Sequence, residues 1–260
     1  EAWRVSGGVG MSGLAVADGR VVTLVESGTK QQVWALDFAS GKTLWKTDVA
    51  AAYRNGMGNG ARATPTIAGG RVVVFTGEGR LLALDAKTGK KLWEIPGATT
   101  ECVTTTVTDG LHVYSSGGYP KNHVSAVRAD GSGKVAWRNN VRVYVPSMIV
   151  RGGYLYGIAG AGIAYCWKSD TGEEIWKGRL GGTFSASLTL ADNRLYAANE
   201  AGECFVFEAS PKAFKLMAKN KLGDEIFASP VLCGNRLYQR VAHRDGSKRR
   251  ETLYCIGVAR

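Results

Sequence analysis

Short apolar runs separated by polar, glycine-bearing turns occupy the whole chain, and their spacing returns again and again. Leu81-Leu82-Ala83-Leu84 reads as a strand. Asp85-Ala86-Lys87-Thr88-Gly89 reads as a turn, because an Asp side chain accepts backbone hydrogen bonds two or three residues on and Gly tolerates positive φ. Lys91-Leu92-Trp93-Glu94 alternates polar and apolar residues and predicts the returning strand of a β-hairpin. A second hairpin precedes it: residues 63–76 run strand, Gly-Gly turn, strand. The same shape recurs at residues 12–25, 103–116, 146–159, 186–199 and 228–241. Aligning their turns stacks a column of small residues: Gly13, Thr64, Thr104, Ser147, Ser187 and Ser229. Each repeat is therefore four antiparallel strands in about 40 residues, the size of one propeller blade.

The two ends bear on how the blades are arranged. Glu1–Val5 carries a tryptophan like those that end the repeats, and predicts a fourth strand without its first three. Glu251–Ile256 predicts a third strand without a fourth. Pairing them gives an all-β, six-bladed propeller as a single domain over residues 1–260, with the N-terminal strand completing the last blade. Such closure hides strand edges that would otherwise template aggregation. An open fragment of a larger ring is the alternative. The best helical candidate, residues 210–220, is better explained as a worn turn and strand.

Charge adds a sign to this picture. Lysine and arginine outnumber acids by 33 to 22, a net charge of +11, and the stretch Arg236–Arg250 concentrates basic residues. A basic field steers acidic partners. No helix-turn-helix, zinc finger or RNA-binding motif accompanies the charge, which argues against nucleic acid. No apolar run approaches the roughly 20 residues of a membrane helix. The five cysteines, Cys102, Cys166, Cys204, Cys233 and Cys255, fall in or beside predicted strands with no metal-ligand or haem spacing, and are expected to be free thiols. The three histidines, His112, His123 and His243, lack ligand spacing, so no catalytic residue and no metal site is expected.

The repeated A-x-D-x-x-[TS]-G-K-x-x-W pattern, nearly complete at Ala35–Trp45 and Ala83–Trp93 and looser at Ala126–Trp137 and Tyr165–Trp176, resembles the pyrroloquinoline-quinone-like (PQQ-like) propeller repeat. The resemblance implies that Trp3, Trp45, Trp93, Trp137 and Trp176 pack between neighbouring blades, with Met217 or Leu216 filling that role in the worn copy. It also implies two functional readings. One is a quinoprotein dehydrogenase holding PQQ and calcium, for which the sequence offers the scattered acids Glu26, Glu78, Glu101, Glu200, Asp224 and Glu225 but no adjacent cysteine pair. The other is a cofactor-free binding scaffold similar to the non-enzymatic outer-membrane-assembly (BamB-like) propellers. That likeness implies a periplasmic or otherwise extracytoplasmic protein; with no signal peptide in the sequence and Trp3 already part of the fold, the chain is expected to be a mature or trimmed form, and a monomer.

Copy-to-copy variation points to the binding loops under the second reading. Residues 50–62 carry Tyr53, Arg54 and Arg62; residues 116–123 carry Tyr119, Lys121 and His123. Residues 139–146 carry Arg142 and Tyr144; residues 242–251 carry His243, Arg244 and Arg249. Aromatic residues and arginine are enriched at interface hot spots. The expected partner is a protein or an anionic glycan or lipid.

Overall fold

A computed structural model describes residues 1–56, 58–96 and 103–257. Cys102 and Glu101 lie outside the described residues. Every regular element among the described residues is a β-strand. The first sheet runs β1 (Ala15–Ala17), β2 (Arg20–Ser27), β3 (Lys30–Asp37), β4 (Thr43–Ala51). The second runs β5 (Thr66–Ala68), β6 (Arg71–Phe75), β7 (Arg80–Asp85), β8 (Lys91–Pro96), and the third β9 (Val107–Thr108), β10 (His112–Gly117), β11 (His123–Arg128), β12 (Val135–Asn139). The fourth comprises β13 (Ile149–Arg151), β14 (Tyr154–Ala159), β15 (Ile163–Lys168), β16 (Glu174–Arg179). The fifth comprises β17 (Thr189–Ala191), β18 (Arg194–Ala198), β19 (Glu203–Glu208), β20 (Leu216–Lys221). The sixth holds β21 (Val231–Cys233), β22 (Arg236–Asp245) and β23 (Lys248–Ile256). Strand order follows chain order and every pairing between these strands is antiparallel. The chain divides into two compact units, Glu1–Asn140 with the first three sheets and Val141–Arg260 with the last three.

Strand period explains how the sheets stack. Val72, Val74, Leu82 and Leu84 of the second sheet cluster with Val22, Leu24, Val33 and Ala35 of the first. The alternate residues Val73, Phe75, Leu81 and Ala83 cluster with Val113 and Val127 of the third. Successive side chains point to opposite faces, so one sheet buries both of its faces against two neighbours.

The turns behave as their chemistry predicts. Asp37 Oδ1 accepts from the Ser40 amide at 2.8 Å and hydroxyl at 2.6 Å; Asp85 Oδ1 accepts from the Lys87 amide at 3.1 Å and the Thr88 amide and hydroxyl at 2.7 Å. These bonds to the charged form, led by the hydroxyls of Ser40 and Thr88, hold both carboxyls below their ordinary value. A β-bulge follows in each complete repeat turn, so that β4 skips Leu44 and β8 skips Leu92 in the pairing with the preceding strand.

Tryptophan fills the space between sheets. Trp45 Nε1 donates to Ala86 O at 3.1 Å, and Trp176 Nε1 donates to Ser210 O at 2.8 Å. Trp3 makes the same bond to Phe38 O at 3.0 Å and lies over Gly41. Its segment is not the expected strand, however: residues 1–8 lie outside regular structure, and the sixth sheet holds three strands among the described residues. Trp3 is anchored through its indole to the first sheet's β3–β4 turn, with no ladder bonds of its own segment.

The worn copy also departs from expectation. Neither Leu216 nor Met217 takes the tryptophan place; both are exposed, Met217 by 46%. The β19–β20 turn is longer than the β3–β4 turn, so Met217 is the residue skipped at the bulge, as Leu44 is in the first sheet. The longer turn instead delivers Phe214, whose ring lies 5.5 Å from Trp176 and 5.7 Å from Phe207.

Candidate interaction surface

The β22–β23 hairpin contains the longest strand among the described residues, and its tip carries Arg244, Asp245, Lys248, Arg249 and Arg250 in close succession. Asp245 pairs with Lys248 around a two-residue loop in which Gly246 takes a φ of 58°. Such a loop needs positive φ, which glycine supplies without steric cost. Register then sorts the basic residues onto two faces. His243 faces Arg250 on one side, and Arg244 faces Arg249 on the other.

Two guanidiniums directly opposite repel. Glu225 offsets that repulsion: its Oε1 accepts from Arg244 Nε, and its Oε2 accepts from Arg249 Nε at 2.9 Å. The hydrogen bond from Arg244, then that from Arg249, pushes the Glu225 carboxyl below its ordinary value. Asp224 Oδ2 accepts the Arg244 amide at 2.8 Å, and Glu251 pairs with Arg249 and Arg240. Arg244 and Arg249 are thus largely neutralised by acids of their own unit.

The opposite face is not balanced in this way. His243, Arg244, Asp245, Lys248 and Arg250 line a depression of about 380 Å³. Two cations of that face, Lys248 and Arg250, meet the single carboxylate of Asp245, while Arg244 borders the depression with its guanidinium held by Glu225. His243 Nε2 lies 2.9 Å from the Tyr254 hydroxyl, which orients the imidazole. Lys248 and Arg250 complete the surface although neither was singled out by loop variation; their signal was the alternation that puts them on the His243 face.

The other nominated residues separate into those presented to solvent and those used by the fold. In the first unit, Tyr53 is buried, packed over Gly77, with its amide donating to Glu26 at 2.9 Å. Arg54 pairs with the buried Glu26, and Arg62 donates to Gly58 O at 2.6 Å with its guanidinium 5.8 Å from the Tyr53 ring. His123 does not belong to an exposed loop: it begins β11 opposite Gly117 and is only 3% exposed. Burial, with the Arg138 charge second, lowers its pKa to about 4, so its imidazole is neutral. Tyr119 is 55% exposed, and Lys121 lines an open depression with Pro120, Asn122, Arg138, Asn139 and Asn140. In the second unit Arg142 sits over the Tyr144 ring at 4.8 Å.

The acids that would have to hold calcium are committed elsewhere. Glu26 binds Arg54 and the Tyr53 amide, Glu78 accepts from Gln31 Nε2 at 2.9 Å, and Glu200 accepts from Ser185 Oγ at 2.6 Å. Asp224 and Glu225 serve the hairpin arginines. Calcium takes six to eight oxygens, several from carboxylates, and these local partners do not fit that demand. Among the described residues no three His, Cys, Asp or Glu side chains gather as a metal cluster.

Comparison with known proteins agrees with the repeat. A quinohemoprotein alcohol dehydrogenase, ADH IIB from Pseudomonas putida, is 36% identical over 124 residues, 41% of this chain and 17% of that enzyme. The serine/threonine-protein kinase AfsK from Streptomyces griseus is 30% identical over 175 residues, 62% of this chain and 20% of the kinase. The chain thus spans a fifth or less of the length of these two curated relatives. The crystal structure of BamB from Moraxella catarrhalis superposes with a TM-score of 0.62 at 14% identity, over 90% of this chain and 82% of that one. The family described as outer membrane protein assembly factor BamB matches residues 1–118 and 120–210, and the chain belongs to that family of PQQ-like propellers.

Proposed function

We propose that this chain is a non-catalytic binding scaffold whose β22–β23 hairpin captures an acidic segment of a protein partner. The observation that carries the reading is the unbalanced face of that hairpin, where Lys248 and Arg250 border one depression with Asp245 as its only acid. The six sheets act as blades of one propeller and work outside the cytoplasm, as expected of a BamB-like protein. The test is capture of a fluorescent oligo-glutamate peptide, with heparin and anionic vesicles as parallel arms. Affinity should fall with salt, and Lys248→Glu with Arg250→Glu should abolish it. Undiminished capture by the double variant would sink the hairpin as the site, while preference for heparin or vesicles would reassign the partner class.

A PQQ- and calcium-dependent dehydrogenase is the second reading, favoured by the 36% identity to a quinohemoprotein alcohol dehydrogenase. The engagement of Glu26, Glu78, Glu200, Asp224 and Glu225 weighs against it. A quinone and calcium titration saturating at one equivalent would establish it.

A further inference from the structure

One register position on the fourth strand recurs through the repeats. Trp45 stands opposite Ala35, Trp93 opposite Ala83, Trp137 opposite Ala126 and Trp176 opposite Cys166. In the fifth sheet the corresponding residue, opposite Val206, is Ala218. The indole that wedges one sheet against the next is therefore missing between the fifth and sixth sheets.

The walls that such an indole would touch are still there. In the first pair of sheets Trp45 packs among Val22, Val33 and Ala35 on one side and Val72, Val74 and Leu84 on the other. The residues at those register positions in the fifth and sixth sheets are Tyr196, Cys204 and Val206, facing Leu237, Gln239 and Ile256. All six line a cavity of about 500 Å³. Leu222 and Leu232 add apolar wall, and Asn220 and Asn235 bring amide groups to it. The Gln239 amide is already committed to Ala228 O at 2.8 Å and Arg240 O at 3.2 Å.

The cavity is held open as well as left empty of side chains. At the first-strand edge, Ser187 N donates to Ser229 Oγ at 2.9 Å and Thr189 Oγ1 donates to Pro230 O at 2.5 Å. Ala186, Ala198, Ile226 and Val241 form a small apolar cluster that joins the two sheets. The sheets are pinned there, so they cannot slide together to fill the volume of the absent ring. An apolar chamber of this size with a few amide groups has the make-up of a small-molecule site.

We infer that this cavity binds a planar bicyclic aromatic compound, an indole or close isostere, inserted between the fifth and sixth sheets where the chain's own tryptophans stand elsewhere. The ring stacks against Tyr196, Val206 and Leu237, and an N–H or carbonyl at its edge meets the amide of Asn220 or Asn235. The site is distinct from the hairpin tip, so the inference stands or falls independently of the proposed capture of acidic segments.

Indole itself is the probe. Titrated into isotope-labelled protein, it should produce saturable amide shifts at Cys204, Val206 and Leu237, and Lys248→Glu with Arg250→Glu should leave them unchanged. Ala218→Trp supplies the missing ring from the chain. It should raise the melting temperature and weaken indole binding by about tenfold or more, since a filled cavity excludes the ligand. As a readout that needs no variant, indole should slow alkylation of Cys204 in the native protein by about threefold or more while leaving the exposed Cys233 unaffected. Absence of saturable shifts, undiminished binding in folded Ala218→Trp, or an unprotected Cys204 would each overturn the inference.

Discussion

The backbone N–H of Ser187 donates to Ser229 Oγ at 2.9 Å, and Ser187 Oγ in turn accepts the N–H of Ser147 at 2.9 Å. In the first unit the Gly13 N–H donates to Thr64 Oγ1 at 3.0 Å in the same way. Within each unit these bonds form a relay: Thr64, Ser187 and Ser229 each tie the segment before one sheet's first strand to that of its neighbour, whereas Thr104 Oγ1 donates to Ser116 O of its own sheet at 3.0 Å.

This relay predicts unequal costs for two chemically identical changes. Ser187→Ala removes the acceptor of a part-buried amide, which water reaches poorly, and should cost about 1–2 kcal/mol. Ser229→Ala removes the acceptor of an exposed amide that water can satisfy, and should cost under about 0.5 kcal/mol. Urea unfolding of both variants measures the difference; equal costs would show that the relay contributes no specific bond.

Close approach of tryptophan to the turn glycines gives a second prediction. A Cβ at Gly89, where φ is 73°, would lie 2.6 Å from the Trp45 ring and 2.7 Å from Thr47 Oγ1. Gly28, with φ of 60°, has open space around it. Gly28→Ala should therefore cost only the left-handed strain of about 1–2 kcal/mol, while Gly89→Ala adds roughly 1–3 kcal/mol of overpacking. Thermal melts of the two variants separate these terms, and indistinguishable melts would mean that Trp45 simply moves aside.

These contacts mark what the sequence could and could not disclose. The strands and turns were legible because their causes are local: Asp37 and Asp85 cap their own turns, and the alternation of Val72 to Phe75 follows the strand period. The tryptophan place in the fifth sheet was not, because a longer turn and a bulge shift the register from Met217 to Ala218. Exposure at the candidate site was also hidden. Tyr53 and His123 sit in variable loops or at their edges, and what buries them is the packing of distant residues such as Gly77. The hairpin charge was visible in the stretch ending at Arg250, but Glu225, in the segment before β21 and bridged to Ala242 of β22, decides which arginines remain free to meet a partner.

Thiol chemistry should follow the same division between wall and surface. Burial pushes the Cys166 thiol up to about 12 and raises that of Cys204, whereas a contact from Arg236 at 3.5 Å lowers that of exposed Cys255. The thiolate is the reactive form. Native alkylation near neutral pH, followed peptide by peptide, should label Cys255 first, Cys204 late and Cys166 last. Labelling of Cys166 at the rate of Cys255 would mean that the fourth and fifth sheets do not pack as described.

His123 sets the last expectation, a specific loss of stability in mild acid. Its imidazole is buried in β11, and among the described residues neither ring nitrogen has a hydrogen-bond partner. Burial lowers its pKa from 6.5 to about 4 in the folded protein. Above pH 6.5 both states hold the neutral ring, and His123 costs nothing on this account. As pH falls below 6.5 the unfolded chain takes up a proton that the folded chain refuses, so stability declines until the folded ring titrates near 4. Between pH 8 and pH 5 the loss is about 2 kcal/mol, from roughly 1.4 kcal/mol per pKa unit. Urea midpoints across that range should drop accordingly, and His123→Leu should flatten the drop because the residue no longer titrates. A ring-proton NMR titration of His123 with a midpoint near 6.5 would refute the burial from which the prediction is derived.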